Sequence, residues 1–291
     1  MAALFSQVFS PSNFQELFSA WKRFPDAVLF AGGTGLIRNQ STRVPVLPNN
    51  IISLNQLEEL RKMSRTERYL EIGAMVKLSQ IIQLGRIVPE VLIRSIECIG
   101  GPHLRNQATI GGNLCSPTQK LDCAAPMIAL EAQYELRTAQ SSRWIPASRF
   151  SSLPGPPQLL PQEILTRIRI PLEPWDFTWY SKFRGPLGNE PGGCILFIIR
   201  NQKSILTDIR VIYSGEAILR EKDSETQLKE KHLPLDKKDA AVFVEGWKAY
   251  LTSFEKKDQF IFAGKYGNSN VELSKMRIIN FIETTINNLS D

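Results

Sequence analysis

The sequence predicts a mixed α+β chain, and three observations carry that prediction. Through the first 175 residues, short apolar runs that end in glycine or proline turns alternate with apolar residues at helical spacing. Residues 163–170, Glu-Ile-Leu-Thr-Arg-Ile-Arg-Ile, alternate strictly between polar and apolar, the pattern of a half-buried strand. Residues 194–200 and 205–213 form two further apolar runs around a Gln202-Lys203 turn, as an antiparallel strand pair does. With 291 residues, 43% of them hydrophobic, the chain is long enough for two domains.

In chain order, residues 27–30, Ala-Val-Leu-Phe, form a buried strand that opens into the glycine turn Ala31-Gly32-Gly33-Thr34-Gly35. Residues 44–47 and 51–54 are predicted strands, and residues 57–60 a helical turn. An extended stretch at 69–74 precedes two helices, 78–84 behind a Ser79 cap and 89–99 with Val91, Leu92, Ile96 and Ile99 on one face. After a polar, glycine-rich stretch at 100–120, residues 122–130 are small and apolar enough for an interior helix, and 134–137 resume as a strand. A loop rich in serine and proline fills 151–161. Beyond Pro171 come the strand pair, charged material at 220–240, and helices at 241–251 and 271–288. A boundary near 175 divides a first domain, 1–175, with subdomains of about 1–55 and 56–175, from a second, 176–291.

Composition narrows the function classes. The start, MAALFSQVFSPSNF, lacks the basic and apolar pattern of a secretory leader, and no run of about eighteen apolar residues occurs, so a cytoplasmic location is expected. Cys98, Cys115, Cys123 and Cys194 stand singly, without the CxxC or cluster spacing of a metal or iron–sulfur site, and are expected to be reduced thiols. The net charge of +6 is scattered. Its densest stretch, Lys229-Glu230-Lys231-His232 with Lys237-Lys238, is interrupted by acids and is expected to be a solvated face with no nucleic-acid partner.

Two glycine-centred loops are the sharpest features: Ala31-Gly32-Gly33-Thr34-Gly35 and Ala108-Thr109-Ile110-Gly111-Gly112-Asn113-Leu114. Glycine permits positive φ and close approach, so both loops are expected to turn backbone N–H groups toward phosphate oxygens. Neither is a GxGxxG fingerprint or a P-loop. A single Gly-Gly-Thr segment is explained equally well by a tight turn.

Taken together, these loops, the string Arg105-Asn106-Gln107-Ala108-Thr109-Ile110-Gly111-Gly112-Asn113, Asp122 nine residues on, and the Glu163-Ile164-Leu165-Thr166-Arg167-Ile168-Arg169-Ile170-Pro171 run resemble the FAD domains of molybdenum hydroxylases of the xanthine dehydrogenase type. The resemblance covers roughly residues 5–200. It implies an FAD-binding fold of the vanillyl-alcohol oxidase type, two small α/β subdomains, followed by a C-terminal sheet-and-helix domain. It also implies non-covalent FAD and an electron-transfer role with no catalytic base in the chain. The [2Fe–2S] clusters and molybdopterin would lie on partner subunits, and NAD or another acceptor would take the electrons.

Carried over position by position, the resemblance assigns Leu29, Phe30, Ala31, Gly32, Gly33, Thr34, Gly35 and Leu36 to a first cofactor loop. Thr109, Ile110, Gly111, Gly112 and Asn113 form a second, and Asp122 is an acceptor for a sugar hydroxyl. Ile99, Leu165 and Lys182 fall beside the flavin, where a cation would stabilise the reduced, anionic form. His103 does not occupy the position at which related oxidases attach flavin covalently, and Arg105 and Asn106 are expected to order their loop. Three departures stand out: Gly35 where an acid is common, Ser116-Pro117 two residues early, and an unusually loose 183–193 segment. Two alternatives stay open, a stand-alone flavin oxidoreductase of the same fold and a degenerate scaffold that binds FAD weakly.

Overall fold

The structure, a computed structural model, describes residues 6–38, 40, 46–117, 121–151, 156–183, 193–215, 217–257 and 268–290. Its first unit is a small parallel sheet. Strand β1 (Gln7–Phe9) leads into helix α1 (Phe14–Arg23), then β2 (Val28–Phe30), helix α2 (Thr34–Arg38) and β3 (Asn50–Ser53), with β3 between the other two strands. Asn13 starts α1: its side-chain oxygen accepts from the Glu16 N–H at 2.9 Å, while the Glu16 carboxylate accepts from the Ser12 N–H at 2.8 Å. This fixes Phe14, Leu17 and Phe18 against Ile52 and Leu54.

The expected strand at 44–47 does not form where it is described. Residues 41–45 lie outside the described residues, and Val46 and Leu47 are exposed and irregular. The Gln40 side chain binds both the N–H and the carbonyl of Val46, at 2.6 and 2.8 Å, and so occupies the groups a ladder would need.

The second unit contains β4 (Met63–Arg65), β5 (Tyr69–Gly73), helices α3 (Leu78–Gln83), α4 (Glu90–Glu97), α5 (Pro102–Arg105), α6 (Ile110–Leu114) and α7 (Ala124–Ala129), then β6 (Gln133–Arg137), β7 (Ser142–Pro146), α8 (Ala147–Phe150) and β8 (Ile164–Pro171). The antiparallel sheet runs β4-β5-β8-β6-β7. Ser79 does not cap α3. The helix starts one residue earlier, and the Lys77 N–H donates to the Gln80 side chain at 2.9 Å. On β8 the alternation holds over Ile168 and Ile170, inward, and Arg167 and Arg169, which pair with Glu71 at 3.1 and 2.7 Å. It breaks upstream, where the β6–β8 register shifts and Ile164, Leu165 and Thr166 are buried in succession. The Thr166 hydroxyl bonds the Glu135 carboxylate at 2.7 Å, which satisfies the polar group that the bulge turns inward.

The third unit is the antiparallel sheet β12-β11-β10-β9, from β9 (Phe177–Lys182), β10 (Cys194–Gln202), β11 (Ile205–Ser214) and β12 (Ile218–Leu219), with helices α9 (Lys222–Leu228), α10 (Lys237–Lys257) and α11 (Asn268–Asn287). The hairpin turn sits one residue later than expected, on Lys203 and Ser204, at φ +51° and +62°, the left-handed pair that a two-residue hairpin loop requires. β10 is buried on both faces. Ile195, Phe197 and Ile199 pack under Phe243, Trp247 and Ile282, while Cys194, Leu196 and Ile198 join the core of the second unit. The third unit is further tied to the second through Arg210, which pairs with Asp208 at 2.8 Å and donates to the Ala129 carbonyl at the end of α7. Among the described residues no helix is long and apolar enough to cross a membrane.

Candidate functional site

Where the first sheet meets the α5–α6 region, a cleft of about 770 Å³ opens. The first glycine loop forms one wall because β2 ends there. The Phe30 carbonyl accepts from Leu54 at 2.9 Å, and the chain then turns through Gly33 at φ +71° into α2. A Cβ on Gly33 would lie 2.5 Å from the Phe30 ring, and one on Gly32 would lie 2.1 Å from the Gln107 carbonyl oxygen. Both glycines are therefore required by close approach. The first backbone bond of α2 runs from the Ile37 N–H to the Gly33 carbonyl at 3.2 Å, which leaves the Thr34, Gly35 and Leu36 amides without acceptors inside the helix. Leu29 through Leu36 all line the cleft. A Cβ on Gly35 would have nothing within 4 Å, so the missing acid leaves open space and no strain.

The opposite wall is α6, and here the structure corrects the expectation that both loops offer amides. The N–H groups of Ile110 and Gly111 donate to the carbonyls of Val76 and Ala74, at 3.0 and 2.9 Å. Those of Gly112 and Asn113 donate to the Thr109 hydroxyl and carbonyl, at 3.1 and 3.0 Å. Gly112 also has no positive φ. These residues form a closed helical turn capped by Thr109, and the glycines serve contact: Gly111 against Ala74, and Gly112 toward the cleft. Thr109, Gly111, Gly112 and Asn113 line the cleft, whereas the Ile110 side chain is fully buried in the core.

The Asn113 side chain accepts from the Cys123 N–H at 3.2 Å, which ties α6 to the start of α7 and places Asp122 at the cleft. Lys182, on β9, pairs with Asp122 at 2.7 Å and donates to the Cys98 carbonyl at 3.0 Å; it stands behind the lining and not in it. Ile99 and Leu165 reach the cleft. Ile99 is held by Arg105, whose guanidinium donates to the carbonyls of Glu97, Ile99 and Gly100, the loop-ordering role expected of it. His103 is exposed and lies outside the lining. Of the loose 183–193 segment, residues 184–192 lie outside the described residues.

Other walls carried no sequence signal. Trp21, Leu54, Leu104, Leu159, Leu160 and Gln162 line the cleft, and the Gln162 side chain, at φ +53°, holds the Trp21 carbonyl at 3.1 Å. Beside them Glu163, with a side chain 1% exposed, accepts both arms of Arg143, at 2.7 and 2.8 Å, and the Leu160 N–H. The Arg143 hydrogen bonds hold its carboxyl below the ordinary glutamate range against the opposing effect of burial. Such a group stabilises the fold above its unfolded pKa near 4.5 and loses that contribution as pH falls through the lower folded value. Arg143→Met strands a buried carboxylate and should cost about 2 kcal/mol at neutral pH, since water screens the 40% exposed arginine. Urea unfolding should show the penalty shrinking below about pH 4. The thiols of Cys115 and Cys194 are pushed up to about 12 by burial, so they stay protonated. No cluster of three potential metal ligands occurs among the described residues.

Residues 4–173 match the family model described as the FAD binding domain in molybdopterin dehydrogenase. The chain belongs to this family. Among curated relatives of these FAD-binding domains, the xanthine dehydrogenase FAD-binding subunit of Escherichia coli O157:H7 is 30% identical over 167 residues, 55% of this chain and 56% of the relative. The carbon monoxide dehydrogenase medium chain of Hydrogenophaga pseudoflava is 28% identical over 196 residues, 66% and 68% of the two chains. The chain thus spans little more than half the length of the first of these relatives. The likeness of fold extends further along the chain than the likeness of sequence. Carbon monoxide dehydrogenase from Hydrogenophaga pseudoflava superposes with a TM-score of 0.80 at 21% identity, over 98% of this chain and 96% of that one. Quinoline 2-oxidoreductase from Pseudomonas putida 86 superposes at 0.76 and 19% identity, over 99% of both. These agree with the predicted α+β fold.

Proposed function

We propose that this chain is the FAD-binding, electron-transferring subunit of a molybdenum hydroxylase complex. The supporting observation is the cleft itself: amides of the first glycine loop that have no acceptor among the described residues at one side, a tight glycine-faced helix opposite, apolar walls, and Asp122 as a hydroxyl acceptor. These residues fit FAD. The amides of Thr34, Gly35 and Leu36 and the Thr34 hydroxyl would hold phosphate oxygens, and Gly112 leaves room for their approach. Asp122 would take a sugar hydroxyl, held in place by its ion pair with Lys182, while Ile99 and Leu165 would contact the flavin. FAD, when bound, supplies a redox centre that accepts and passes on electrons.

The two carboxylates of the lining, Glu163 and Asp122, are each tied to a cation, and among the described residues the lining has no histidine. The role proposed for these residues is to bind and orient the cofactor. On this reading residues 1–175 hold the cofactor, residues 176–291 form the second domain, and electrons arrive from [2Fe–2S] clusters on a partner and leave to NAD or another acceptor. A partner subunit carries the molybdopterin centre where substrate is oxidised. The test is reconstitution: the pure subunit should turn over no purine or aldehyde, and a complex assembled with cluster-bearing and molybdenum-bearing partners should reduce its acceptor only when this chain is present. Acceptor reduction unchanged by leaving the chain out would overturn the assignment.

A further inference from the structure

FAD brings two negative phosphate charges, yet among the described residues the cleft lining holds no lysine, arginine or histidine, and it includes two carboxylates. Two cations, Lys77 and Arg61, stand behind the lining on the side of the first glycine loop. Lys77, just before α3, donates its ammonium to the Gln107 carbonyl oxygen at 2.9 Å. That oxygen is the atom against which Gly32 packs, 2.1 Å from where a Cβ would sit. Left alone, a carbonyl dipole aimed at the loop would repel phosphate oxygens. The ammonium reverses the sign of the potential there.

Arg61 reinforces the effect. Its guanidinium donates to the Asn55 carbonyl at 2.9 Å, and its Nε has no acceptor among the described residues. Burial, then the neighbouring Arg61 charge, hold Lys77 below the ordinary lysine range. Among the described residues neither cation has a carboxylate within ion-pair distance. Two like charges are thus kept together by the fold. Gly73 lets β5 press on the Glu58–Arg61 turn, where a Cβ would meet the Leu60 carbonyl oxygen at 2.2 Å, and the Lys77 backbone is held by Gln80. Such a pair is relieved by an anion.

We propose that Lys77, backed by Arg61, is a positioning residue for the FAD pyrophosphate, acting through the Gln107 carbonyl on the first glycine loop. The proposal rests on the FAD reading above. To test it, the full chain is stripped of flavin and FAD affinity is measured by fluorescence at about 20 mM and about 1 M salt for the wild type, Lys77→Gln and Lys77→Arg. The expected result is binding about tenfold weaker for Lys77→Gln at low salt, convergence with the wild type at high salt, and near-complete rescue by Lys77→Arg. The thermal midpoint of the flavin-free protein should not move. Unchanged affinity at low salt overturns the proposal, as does a loss equal at both salts and accompanied by a lower thermal midpoint, which marks a structural role. A wild-type chain that binds no FAD at either salt overturns the FAD reading itself and this inference with it.

Discussion

Gly112→Val should abolish FAD binding in a protein that remains folded. Among the described residues, and outside the helix's own backbone, a Cβ at this position meets only the Thr109 hydroxyl oxygen, at 2.9 Å, and a small shift of that side chain relieves the contact while loosening its cap on the Gly112 N–H. The position lies within α6 at an ordinary helical φ, where valine is tolerated. Its branched methyls project into the cleft from the wall facing the first glycine loop. Equilibrium dialysis should find less than about 1% of wild-type FAD occupancy, with circular dichroism unchanged and the flavin-free thermal midpoint within about 3 °C. A folded variant with a full flavin complement refutes the role given to this wall.

The adjacent glycine should behave in the opposite manner. A Cβ on Gly111 would lie 2.7 Å from both Cβ and the carbonyl oxygen of Ala74, and no rotation of a flexible chain relieves a backbone contact. The clash also breaks the Gly111 N–H bond to that carbonyl. Overpacking and the lost bond together should cost about 3–4 kcal/mol, read as a thermal midpoint lowered by about 10 °C. FAD loss should follow from unfolding. If Gly111→Val were as stable as Gly112→Val, the placement of α6 against Ala74 would be wrong.

This pair shows what the sequence made legible. The Thr109-Ile110-Gly111-Gly112-Asn113 string marked the site and its resemblance, but not which glycine faces the cleft or that the N–H groups of α6 are spent inside the protein. Those follow from contacts with Ala74 and Val76, more than thirty residues away. The regular elements were readable where period and burial agree, as in α4 and the downstream half of β8. They were not where a long-range bond decides. Gln80 sets the start of α3, Thr166 turns inward because Glu135 receives it, and Lys203 and Ser204 take positive φ without the glycine or asparagine that usually announces it. The walls given by Trp21 and Gln162 come from segments 141 residues apart and carry no motif.

The central claim is that the cleft holds one FAD without a covalent link, and it is tested most directly by the visible spectrum and flavin content of the purified chain before and after acid precipitation. The account predicts a flavin spectrum at about one FAD per chain, with all of the flavin in the acid supernatant. A colourless protein that takes up no added FAD would contradict it, as would flavin that stays with the denatured polypeptide.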